Sequence, residues 1–180
     1  MKKVQQQKTE MVRLVVTKRK MNINIVYGYE LKDEVKSLFS EYTDFLVNGD
    51  SEFKKYLEIQ KYDHEVDNLE EKYGLPYGRL YVAYFENNIA GCIALRKLND
   101  SQCEMKRLYV RPQFRNKGIA KTLVEKIIFD AKETGYNNML LDTLPFLTTA
   151  IEMYKKIGFY EIGRYNDSPL ENTIYMKLDL

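Results

Sequence analysis

Residues 102–143 constrain the fold more than any other part of the chain. Gln102 to Val110 reads as a strand, and Arg111-Pro112 interrupts it. An apolar stripe at helical spacing follows (Ile119, Ala120, Leu123, Val124, Ile127, Ile128, Ala131) and runs up to Gly135, where a C-terminal glycine belongs. Met139 to Thr143 then reads as a buried strand. This strand–helix–strand unit should form a right-handed parallel crossover.

The flanking sequence surrounds this unit with antiparallel strands. Ile23 to Tyr27 is the first strand, and Leu31, Val35, Leu38, Phe39, Tyr42, Phe45 and Leu46 form a helical stripe that Asn48-Gly49 closes. Residues 51–73 read as a polar, weakly helical stretch ended by Gly74-Leu75-Pro76. Strands Arg79 to Phe85 and Ile89 to Leu98 join at Asn87-Asn88, and a two-residue Asn99-Asp100 turn leads into Gln102 to Val110. That turn would pair Leu98 with Ser101, Cys92 with Arg107 and Cys103 with Arg96, leaving the cysteines unbridged. Thr149 to Ile157 is a short helix stopped by Gly158, and strands Phe159 to Arg164 and Thr173 to Leu178 complete the chain. The expected class is α+β: about seven strands in one mostly antiparallel sheet, with a single parallel crossover.

Composition limits what such a domain can do. Residues 1–20 hold seven Lys/Arg against Glu10 alone, a balance of +6, so the overall +2 leaves −4 on residues 21–180. The reading is a basic, mobile leader (1–20) before one acidic domain (21–180), which argues against nucleic acid as partner. No apolar run is long enough to cross a membrane. Two cysteines cannot build a disulfide framework, which fits a reducing cytoplasm.

The chemistry sits where the crossover turns. Arg111-Pro112-Gln113-Phe114-Arg115-Asn116-Lys117-Gly118-Ile119-Ala120 leads from strand to helix. A helix N-terminus offers unpaired N–H groups and partial positive charge to a phosphate, and Gly118 lets a ligand approach the backbone. Arg115, Lys117 and Lys121 add charge there. Neither G-x-x-x-x-G-K-[ST] nor G-x-G-x-x-G occurs, which disfavours ATP and NAD.

Arg115-x-x-Gly118-x-Ala120 resembles the R/Q-x-x-G-x-G/A signature of GNAT acetyltransferases, and Ala150-x-x-x-Tyr154-x-x-x-Gly158-Phe159 resembles that family's second motif. The resemblance spans roughly residues 23–180 and departs at Leu147, where many relatives carry Asn. It implies a GNAT fold and transfer of an acetyl group from acetyl-CoA to a primary amine, small or peptidic, in a ternary complex without a metal. It implies a pyrophosphate on Arg115, Asn116, Lys117, Gly118, Ile119 and Ala120. A pantetheine arm would lie between the splayed strands 104–110 and 139–143, pairing with backbone near Leu108, Tyr109 and Val110. Glu104 is the expected base, placed on one strand face with Lys106, Leu108 and Val110, and Tyr154 the expected acid for the thiolate.

Arg107 and Arg111 are in reach of coenzyme A phosphates on this reading. His64 reads as a surface residue, and the two cysteines lack a partner for nucleophilic catalysis. Acceptor specificity is expected in residues 27–81 and 160–175, with Tyr27, Phe45, Tyr77, Tyr81, Tyr165 and Tyr175 as pocket candidates. The sequence leaves open a homodimer. It also leaves two other functions, an acyl-CoA-binding module without turnover and a nucleic-acid binder using the leader.

Overall fold

Seven strands form one sheet in the order β1-β2-β3-β4-β5-β7-β6. In chain order the elements are β1 (Ile23–Tyr27), α1 (Lys32–Gly49), α2 (Tyr62–Asp67), α3 (Leu69–Tyr73), β2 (Arg79–Phe85), β3 (Asn88–Lys97), β4 (Gln102–Val110), α4 (Ile119–Thr134), β5 (Asn138–Thr143), α5 (Thr148–Ile157), β6 (Tyr160–Ile162) and β7 (Ile174–Asp179). This computed structural model describes residues 22–54, 62–168 and 170–180. The expected leader, and part of the expected helical stretch 51–73, lie outside the described residues. Every pairing is antiparallel except β4 with β5. The mixed α/β class and the single parallel crossover are as the sequence implies.

Helix α4 buries Ile119, Leu123, Val124 and Ile127 against one face of the sheet. Each fully buried aliphatic contributes roughly 1.5–3 kcal/mol. Its end is fixed by Gly135 at φ 90°, with Tyr136 N–H donating to Ala131 O at 3.1 Å and Gly135 N–H to Lys132 O at 3.0 Å. Helix α5 ends the same way at Gly158, and the Phe159 ring packs on Tyr154. Both helices share that face, whereas α1 and α3 cover the other with Val35, Leu38, Phe39, Leu69 and Tyr73.

Two hairpins differ from the sequence reading. The β2–β3 turn centres on Glu86-Asn87, both at positive φ (48° and 68°), so Phe85 pairs with Asn88. The β3–β4 turn is one residue longer than expected. Asn99 Oδ1 accepts from Ser101 N–H at 3.0 Å, and Leu98 N–H donates to Gln102 O at 2.9 Å. Arg96 therefore pairs with Glu104, and Lys97 with Cys103, one residue out of the expected register.

Farther along, β4 carries a bulge. Ala94 pairs with Lys106 but Cys92 pairs with Tyr109, so Arg107 and Leu108 together oppose Ile93. Arg107 sits at φ 58°, and its carbonyl accepts from the Cys92 thiol at 3.3 Å. Gly91 is required beside the bulge, since a Cβ there would come within 2.3 Å of Tyr109 O.

The bulge overturns the expected strand face. Leu108 and Val110 pack into the core beneath α4, whereas Tyr109 joins the core beneath α1. Glu104 and Lys106 oppose Arg96 and Ala94 on the α1 side, so they do not share a face with Leu108 and Val110. Strand alternation assumes no extra residue, and here there is one. Both cysteines are free and buried. Burial pushes each thiol up to about 12, which keeps it protonated and inert.

Candidate active site

β4 and β5 pair only at Gln102 with Asn138, Cys103 with Met139 and Glu104 with Leu140. Beyond these the strands part, and a cleft opens through the sheet. Met105, Leu108, Leu141 and Tyr154 wall it on the α4–α5 side, and Tyr42, Lys106, Arg107 and Asp142 on the α1 side. Leu46, Phe53, Leu144, Leu147 and Leu170 line one end; four of them bury a third apolar cluster, with Leu147 packed against it. Parted strands leave backbone donors and acceptors without ladder partners, the condition an extended amide-bearing ligand satisfies.

The loop entering α4 places Asn116 at φ 60° and Gly118 at φ 77°, two left-handed residues on either side of Lys117. Gly118 is the N-cap and contributes no side-chain cap, while its carbonyl accepts from Thr122 N–H at 3.0 Å. The first-turn N–H groups of α4 are therefore offered without a protein side chain over them, which fits a pyrophosphate. Arg115 donates to Val110 O at 3.1 Å and stacks over Phe45, and Lys117 lies 4.9 Å from the centre of the Phe85 ring. Their aromatic partners hold both cations in place beside the loop.

The expected catalytic pair is divided. Tyr154 lines the cleft, buried, and burial pushes its phenol well above the ordinary value. Glu104 is fully buried behind the cleft wall, where Arg96 Nε donates to Oε2 and Tyr165 OH donates to Oε1 at 2.7 Å. Lys106, in the cleft wall, lies 3.9 Å from Glu104 and 3.6 Å from Asp142.

Of the six aromatic pocket candidates none is among the described residues of the cleft wall, where Tyr42 stands instead. Arg111 is tied to Glu41 at 2.6 Å, and Arg107 is buried on the α1 side with its Nε on Glu65. His64 is exposed beside Glu71. Leu147, in the place of the frequent Asn, is the N-cap of α5 without a side-chain cap and packs into the third apolar cluster.

Sequence reasoning missed Glu65, Asp142 and the cleft role of Lys106. Glu65 sits in a polar stretch with nothing local to mark it as buried. Gly91 in the middle of a strand was the available signal for the bulge that aims Arg107.

Among the described residues, no group of three or more His, Cys, Asp or Glu is arranged to hold a metal, and no helix is long and apolar enough to cross a membrane. A family model described as the acetyltransferase (GNAT) family matches residues 37–159. An uncharacterised N-acetyltransferase of Dictyostelium discoideum is 34% identical, covering 89% of this chain and 100% of its own. Another from Schizosaccharomyces pombe is 39% identical over 82% of this chain and 88% of its own. An acetyltransferase structure from Streptococcus agalactiae aligns with a TM-score of 0.71 at 18% identity, covering 88% of this chain and 98% of its own. A GNAT family acetyltransferase from Elizabethkingia anophelis with acetyl-CoA bound aligns with a TM-score of 0.51 at 26% identity, covering 63% and 82%.

Proposed function

This chain belongs to the GNAT acetyltransferase family and is an acetyl-CoA-dependent N-acetyltransferase, and we propose that it passes the acetyl group directly to a primary amine inside the cleft between β4 and β5. The observation that carries this reading is the parting of those strands after Glu104 and Leu140. The opening joins Tyr154 on one face to Lys106 and Asp142 on the other.

Acetyl-CoA supplies the activated acyl carbon when bound. Its pyrophosphate is assigned to the backbone of Arg115, Asn116, Lys117, Gly118, Ile119 and Ala120, and its amide-bearing arm to the free edge at Leu108, Tyr109 and Val110. The amine would then enter from the α1 side.

Tyr154 is assigned to the departing sulfur. Its phenol is held well above its ordinary value, and a thiol ionises near ~8.5. Complete proton transfer from phenol to thiolate is therefore uphill. The role that fits is a hydrogen bond that stabilises the developing negative charge.

Glu104 is assigned as the sink for the amine proton, which a water at the cleft wall would relay past Lys106, 3.9 Å from the carboxylate. An aliphatic amine of pKa about 10 is nearly all protonated at neutral pH. A Glu104→Gln enzyme should therefore lose amine-dependent coenzyme A release most near neutral pH and recover toward about pH 9. An unaltered pH–rate profile would move the base elsewhere. Absence of release with any amine, while acetyl-CoA still binds, would favour a module that binds without turnover.

A further inference from the structure

Arg107, a cation of the cleft wall, has a buried donor left open among the described residues. Its side chain is 3% exposed. Nε donates to Glu65 Oε1 at 2.6 Å, and the guanidinium lies between the rings of Phe39 (5.4 Å) and Tyr62 (5.1 Å). Nη2, however, is shut off from solvent and has no hydrogen-bond partner among the described residues. A buried charged donor left unmade is costly, so native chains rarely keep one without a partner arriving from elsewhere. The backbone is committed to this arrangement too, because the bulge at φ 58° turns Arg107 to the α1 side of the sheet.

Its charged neighbours do not reach that donor. Lys72 and Arg107 share Glu65, Arg96 and Lys106 share Glu104, and Lys106 also lies near Asp142. No carboxylate among the described residues accepts from Nη2. The cofactor phosphates do not account for the open donor, because the loop assigned to them leads into α4, on the opposite face from the core that holds Arg107.

We infer that the acceptor is an amine that also carries a carboxylate, which Arg107 Nη2 binds on the α1 side of the cleft beside Lys106. The inference rests on the N-acetyltransferase reading and names its acceptor class. A guanidinium is planar and presents its donors in a fixed fork, the arrangement suited to a carboxylate. The amine of the same molecule would then face the parted strands.

The test is amine-dependent coenzyme A release by the full chain with matched acceptors: L-amino acids, their carboxamides and the corresponding decarboxylated amines. At least one amino acid should be used with kcat/KM ~10-fold or more above both of its counterparts. Arg107→Lys keeps the charge beside Glu65 but loses the planar fork. It should erase that preference, mainly through KM, with acetyl-CoA affinity by calorimetry unchanged. If this variant does not fold, the wild-type panel decides alone. Equal use of carboxamides or decarboxylated amines would overturn the acceptor class while leaving N-acetyl transfer standing. A chain that binds acetyl-CoA and acetylates nothing in the panel would overturn the acceptor class, and amines of every other kind, tried next, would decide the transferase reading separately.

Discussion

Glu65→Ala should lower the free energy of unfolding by roughly 3–5 kcal/mol, the usual cost of removing one partner from a buried ion pair. Glu65 is 3% exposed, and its carboxylate accepts from Arg107, from Lys72 and, at 2.7 Å, from Tyr73 OH. Without it Arg107 stays buried between two rings with its charge unmet. Glu65→Gln keeps the volume and some hydrogen bonding and should fall between wild type and Ala. The same carboxylate should make the fold acid-sensitive. Burial pushes its pKa up, but the charges of Arg107 and Lys72 outweigh burial and hold it at about 2, down from 4.5. A folded value below the unfolded one stabilises fully above about 4.5 and progressively less as pH falls toward 2. Urea unfolding of wild type and the Ala variant near pH 7 and near pH 3 reads both effects. A loss under about 1 kcal/mol at pH 7 would mean that the pair is solvated and Arg107 is not held as described.

Tyr154→Phe should slow acetyl transfer by ~10²-fold at saturating substrates. The substitution keeps the ring packed on Phe159 and removes only the hydroxyl from the cleft, so stability should change by less than about 1 kcal/mol. Acetyl-CoA affinity should hold, since the lost interaction forms only as charge develops on sulfur. Raising the pH should not restore the rate, which separates this lesion from Glu104→Gln. Full turnover across the pH range would make Tyr154 a packing residue of α5.

Local chemistry was legible in the sequence and long-range chemistry was not. The loop from Arg115 to Ala120 and the helix stripe behind it are short-range patterns, and the crossover follows from them with the parallel pairing of β4 and β5. The glycines that stop α4 and α5 were also readable, because αL caps need no distant partner. Register failed at Asn99, where one side chain closes a longer turn than two residues, and the face assignment of Glu104 failed at the bulge. The Arg107 site is assembled from α1, α2, α3 and β4, segments up to 68 positions apart from Phe39 to Arg107 that no periodicity connects. The full burial of Glu104 between Arg96 and Tyr165 was not legible either, because the second of those partners lies 61 positions away.

The central claim is that acetyl-CoA rests its pyrophosphate on the N-terminus of α4. Calorimetric titration of acetyl-CoA into wild type and Gly118→Glu tests it most directly. The glutamate adds a side chain at φ 77° and a negative charge where the phosphates are assigned. Affinity should fall at least about tenfold, ~1.4 kcal/mol, in a protein whose circular dichroism and melting stay close to wild type. Unchanged acetyl-CoA affinity in a folded Gly118→Glu protein would contradict the placement.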